Sequence, residues 1–123
     1  MPKPLPSPKT IGIVGSRRRD SDEDFRLTLA AFNRLYKPGD RVVSGGCPKG
    51  GDRFAEIIAK SKGLTITIHF PDWSKGRGAG FSRNTNIAQD ADVLIAVVAE
   101  DRTGGTEDTV KKVKRLGKPV IYV

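Results

Sequence analysis

Three glycine-rich turns hold the residues best suited to chemistry in this chain: Gly15-Ser16-Arg17, Ser44-Gly45-Gly46 with Gly50-Gly51-Asp52 behind it, and Gly104-Gly105-Thr106. Each follows an apolar run and precedes a stretch of helical spacing. A loop that feeds a helix N-terminus offers free N–H groups and the positive end of the helix dipole, so it attracts anions. Glycine lets a ligand come close to the backbone. The chemistry predicted is recognition of phosphate.

Individual side chains refine that expectation. Arg17, directly after Gly15-Ser16, is placed to pair with a phosphate bidentately, whereas Arg18 and Arg19 read as a solvated run. The Ser44 hydroxyl and the N–H groups of Gly45 and Gly46 can cradle an oxyanion. Asp52 reads first as the cap of the next helix and second as an acceptor for a ribose hydroxyl. Thr106 suits a helix cap, a phosphate ligand, or both. Arg83-Asn84 is expected to open a helix, where an arginine opposes the dipole, and that mismatch points to a ligand. Trp73 either stacks on a base or covers a sheet edge. Cys47 and His69 read as packing residues, and a single cysteine beside a single histidine leaves no zinc cluster and no expected metal site.

The elements that must position these residues follow from periodicity. Residues 1–9, rich in proline and carrying two lysines, read as a flexible basic tail. From residue 10 to 123 a single domain is expected, with strands at 11–14, 41–44, 65–70, 92–98 and 119–123 and helices at 22–36, 52–62, 81–89 and 107–116. The run 92–98 is almost continuously apolar, as in a central strand covered on both faces. Five strands alternating with four helices predict an α/β fold, a doubly wound, mostly parallel, Rossmann-like sheet with helices on both faces. In such a sheet the three turns gather on the carboxyl rim.

Composition bounds the class. The chain has 123 residues, 37% hydrophobic and 29% charged, with a net charge of +8. That length suits one compact domain. No apolar run approaches the ~20 residues of a membrane helix, so a cytoplasmic protein without a membrane partner is expected. The basic excess favours anionic partners, among which a nucleotide and nucleic acid both stand.

Five motifs taken in order, Gly15-Ser16-Arg17, Ser44-Gly45-Gly46 with Gly50-Gly51-Asp52-Arg53, Phe70-Pro71-Asp72-Trp73, Arg83-Asn84 and Gly104-Gly105-Thr106, resemble the SLOG superfamily of Rossmann-like nucleotide-binding proteins, above all its small single-domain members of bacteria and phages. The resemblance runs from Ile11 to Val123. It implies relatives of two kinds, the cytokinin-activating phosphoribohydrolases, which split a nucleoside 5'-monophosphate into base and ribose 5-phosphate, and the DNA-processing protein A, which binds single-stranded DNA. It places Arg83 at the position of the hydrolases' catalytic arginine and Thr109 at that of their glutamate, leaving Asp108 and Glu107 as the nearest candidate acids. It also implies homodimers.

The reading that follows is a module that binds a nucleotide or nucleotide-derived ligand, to sense or sequester it. The alternative is N-glycosidic hydrolysis, with Arg83 on the departing fragment and Asp108 or Glu107 supporting positive charge on the ribose. Single-stranded nucleic-acid binding ranks third because the sequence offers few aromatics for stacking. No cofactor is required, although a magnesium ion would accompany some phosphate ligands.

Overall fold

The computed structural model describes residues 8–76 and 78–123. Segment 1–7 of the expected tail lies outside the described residues. Five parallel strands, β1 (Thr10–Gly15), β2 (Arg41–Ser44), β3 (Ile66–Ile68), β4 (Val93–Val97) and β5 (Val120–Tyr122), form one sheet in the order β3-β2-β1-β4-β5. Four helices alternate with them: α1 (Asp22–Leu35), α2 (Gly51–Lys62), α3 (Ala79–Asp90) and α4 (Gly105–Arg115). The expected α/β class and the alternation of strands and helices are what the chain adopts.

Hydrophobic patterning explains the layers. Ile11, Ile13, Val42 and Ile95 turn toward Phe32, Ala55 and Ile58 of α1 and α2 on one face. Val14, Val43, Leu94 and Ala96 turn toward Ile87, Val110 and Val113 of α3 and α4 on the other. β4 is buried along its whole length, as its apolar run requires. It is an interior strand between β1 and β5, while β1 holds the middle of the sheet.

Several boundaries differ from expectation for identifiable reasons. β3 is three residues long because it is an edge strand paired only with β2, from Val42↔Ile66 to Ser44↔Ile68. α2 and α4 start earlier than their polar residues suggest, since Gly50 and Gly104 are their N-caps, both at positive φ and without side-chain capping. Asp52 and Thr106 therefore cap nothing and lie inside the first turns. α3 begins at Ala79, so Arg83 sits one turn into the helix and does not open it. Among the described residues only α1 has a side-chain capping box, formed by Ser21 and Asp24. Lys9 is anchored: its backbone N–H and ammonium both donate to Asp40, and its carbonyl accepts from Arg41.

Candidate functional site

The order β3-β2-β1-β4-β5 reverses direction between β1 and β4, and in open parallel sheets the loops leaving the strands at that reversal part to leave a crevice. A cavity of about 390 Å³ occupies it. The loop after β1 supplies Gly15, Ser16, Arg17 and Arg18, and the loop after β4 supplies Thr103 and the start of α4 with Gly104, Gly105 and Thr106. Asp52 of α2, Arg83 and Asn84 of α3, Thr109 of α4 and Cys47 complete the polar lining.

The three consecutive arginines have three separate fates. Arg17 is exposed and makes no side-chain hydrogen bond or ion pair among the described residues, leaving its guanidinium free at the cavity mouth. Arg18 donates to both Asp101 oxygens at 2.8 Å and to Thr103 Oγ1 at 3.0 Å, which bridges the β1 loop to the β4 loop. Arg19 donates to Asp24, to Val98 O and to the carbonyl of Val123. The expectation that Arg18 and Arg19 are merely solvated is thus corrected: Arg18 finds its acid partner, Asp101, far along the sequence, and Arg19 finds Asp24 at the start of α1 and carbonyls of the C-terminal half.

At α4 the helix start is open. A Cβ built on Gly104 or Gly105 would meet nothing within 4 Å, and no side chain caps the helix. The N–H groups of the first turn and the positive dipole end face the cavity without competition. Thr109 lines the cavity although only 1% exposed, and its hydroxyl makes no hydrogen bond among the described residues.

The second glycine turn behaves differently from the anion nest expected of it. Ser44 is fully buried and its hydroxyl donates to Ile13 O at 2.5 Å, so it is committed to tying β2 to β1. The Gly45 carbonyl accepts from Arg83 Nη1, and a Cβ on Gly46 would collide with the Phe70 ring. Neither glycine lines the cavity. Their smallness instead makes room for Arg83, Asp52 and Phe70.

Asp52 faces the cavity with 6% exposure. Burial pushes its carboxyl above the ordinary value, against the opposing Cys47 N–H at 3.1 Å, the nearby Arg83 charge and Ser44. Arg83 also donates from Nε to Asn84 Oδ1 at 2.9 Å, and Asn84 in turn donates to Gly105 O and Asp108 Oδ2. The chain of contacts fixes α3 against α4 at the cavity's edge.

The two candidate acids lie outside the lining. Glu107 accepts from Arg102 at 2.9 and 3.0 Å, and Asp108 pairs with Lys112 at 2.8 Å. Asp52 is the one carboxylate that lines the cavity among the described residues. Trp73 stands in a 3-10 turn (Trp73–Lys75), 64% exposed and packed beside Gly80, and does not reach the cavity. Phe70 and Phe81 are likewise 68% and 58% exposed, so more aromatic surface is open than the sequence suggested. His69 bonds to Asp90, away from the cavity.

Sequence reasoning did not name Val14, Cys47, Arg18, Thr103 or Ile87 as lining residues, whereas Thr109, at the position the resemblance gives to the hydrolases' glutamate, does line the cavity. The adjacency of β1 and β4 is the signal that brings the Arg18 and Thr103 loops together, and it appears only with the strand order. Among the described residues no three His, Cys, Asp or Glu side chains gather as for a metal ion, and no helix is long and apolar enough to cross a membrane.

Comparison with solved structures decides the fold class. The chain is similar to the molybdenum cofactor binding protein from the phototrophic bacterium Rippkaea orientalis, with a TM-score of 0.73 and 22% identity over 97% of this chain and 77% of that one. It is similar to the molybdenum cofactor carrier protein of Chlamydomonas reinhardtii to the same degree, with a TM-score of 0.72 and 21% identity over 95% and 76% of the two chains. The fold is Rossmann-like. No protein-family model and no curated protein matches the sequence.

Proposed function

We propose that the chain is a SLOG-type binding module that holds a phosphorylated, ring-bearing small molecule of nucleotide type in the cavity between the β1 and β4 loops. One observation carries the reading: the unpaired Arg17 guanidinium and the uncapped, unobstructed start of α4 line the same cavity. Together they make a site for a phosphomonoester, with amide donors on one side and a planar cation on the other. The cavity volume suits a ligand of mononucleotide size. The two structural neighbours are described as binding or carrying the molybdenum cofactor, chemically a phosphorylated pterin, and that cofactor belongs to the same ligand class. Arg17, Thr106 and the α4 N–H groups would hold its phosphate, and no protein-borne metal is needed for that. A magnesium ion would enter only with a di- or triphosphate.

Binding without cleavage is the reading preferred over phosphoribohydrolysis. Glu107 and Asp108 are engaged by Arg102, Lys112 and Asn84, and the α4 side chain that does line the cavity is Thr109. A second reading, single-stranded nucleic acid on the surface carrying Phe70, Trp73 and Phe81, draws on their exposure and on the net charge of +8.

Calorimetric titration with AMP, GMP, ADP-ribose and isolated molybdenum cofactor, followed by mass detection of the recovered ligand, tests the proposal. Recovery of an intact ligand, with binding lost in Arg17→Ala, supports it. Free base with ribose 5-phosphate makes the protein a hydrolase, and binding of oligothymidylate alone, falling steeply with salt, moves the function to the aromatic surface.

A further inference from the structure

Asp52 is a buried carboxylate with too few donors for its charge. Its Oδ2 accepts one bond, from Cys47 N at 3.1 Å. Its Oδ1 lies 3.2 Å from Ser44 Oγ, but Ser44 has a single proton and the Ile13 carbonyl, at 2.5 Å, is the nearer acceptor. Arg83 stands next to it: a Cβ on Gly45 would be 2.5 Å from Arg83 Nη1 and 2.8 Å from Asp52 Oδ2. Yet Arg83 directs its donors to Gly45 O and Asn84 Oδ1, and Asp52 forms no ion pair among the described residues. The position of Asp52 in the first turn of α2 favours its charge, although a dipole contributes less than direct hydrogen bonds do.

An ionised carboxylate has about four acceptor sites, and here at least two stay unused at the wall of a cavity. Leaving a buried charge short of donors is costly, so the group is poised to accept them from whatever fills that cavity. Two adjacent donors on a ligand match the two carboxylate oxygens. We infer that Asp52 selects ligands presenting a pair of neighbouring O–H or N–H donors in addition to the phosphate. This rests on the phosphate-binding reading and adds a specificity residue to it. Two parts of a nucleotide-type ligand present such a pair, the cis-diol of ribose and a ring edge with adjacent N–H and amino donors, N1–H with the 2-amino group in guanine or N3–H with the 2-amino group in a pterin.

Titrations of the unaltered protein with GMP, 2'-deoxy-GMP, IMP and 2'-deoxy-IMP separate the two sources. GMP is expected to bind roughly 10- to 100-fold more tightly than 2'-deoxy-IMP, which lacks both donor pairs, as removing bonds to a charged acceptor implies. A loss seen with 2'-deoxy-GMP assigns the diol, and a loss seen with IMP assigns the ring edge. Asp52→Asn, checked for unchanged melting, is expected to erase the discrimination while leaving inorganic phosphate able to compete. Equal binding of all four nucleotides, or full discrimination surviving in Asp52→Asn, overturns the inference while the phosphate site stands. No binding of any nucleotide and no competition by phosphate overturns both.

Discussion

Gly15 and Gly51 meet backbone to backbone: a Cβ on Gly15 would lie 2.9 Å from the Gly51 nitrogen and 2.7 Å from Val97 Cβ. The last residue of β1 is thus wedged between β4 and the start of α2, and this contact sets how closely the Arg17 loop approaches the cavity. Gly15→Ala must displace one of the three elements. The expected cost is about 1 to 3 kcal/mol, the range for overpacking a tight interior, read as a lowered urea midpoint. A midpoint equal to that of the unaltered protein would show that the contact can relax freely.

Gly105 makes the opposite prediction. A Cβ there has open space within 4 Å, and alanine suits a helix start better than glycine. Gly105→Ala is expected to leave the melting temperature unchanged or slightly raised. The added methyl enters the space where a phosphate would rest, so ligand affinity should fall. Equal affinity would place the ligand elsewhere on the rim.

The arginine run separates binding from stability. Arg17→Ala removes a guanidinium with no partner among the described residues and should weaken phosphate-ligand binding by about tenfold or more with no change in melting. Arg19→Ala removes the side chain that joins Asp24, Val98 and Val123, and should lower the melting temperature with the site intact. Reversed outcomes in the two variants would exchange their roles.

Much of this architecture is legible in the sequence because local signals agree with global ones. The apolar runs of β1 and β4, the glycine punctuation and the helical spacing of Phe25, Leu29 and Phe32 all point to one alternating α/β plan. Helix starts are less legible, because α2 and α4 are capped by glycines in unusual conformations and the polar Asp52 and Thr106 next to them mislead. The arginine run is illegible for another reason. Arg19 has a local acid in Asp24, but nothing local distinguishes Arg17 from Arg18, since Asp101 reaches Arg18 only through the β1–β4 adjacency. The Gly45-Gly46 turn shows the same limit, as its glycines serve packing under Arg83 and Phe70.

Asp40 links the start of the domain to pH. Only 4% exposed, it accepts from the Lys9 ammonium, Lys9 N at 3.0 Å and Lys37 N at 2.9 Å. Burial alone would push its carboxyl up, but these donors outweigh it and hold the group below the usual carboxylate value. The folded state therefore favours the ionised form more than the unfolded chain does, and the resulting stability is fully present above the unfolded value of about 4. It is lost as the pH falls from there through the lowered folded value. Asp40→Asn is expected to cost about 1 to 3 kcal/mol at pH 7, the range for removing a charged acceptor from buried donors. The gap to the unaltered protein should narrow as the pH drops below about 4, because protonation then removes from the unaltered protein the charge that the variant already lacks. Urea midpoints of the two proteins at pH 7 and pH 3 measure it, and a gap that stays constant would mean that Asp40 contributes by shape and not by charge.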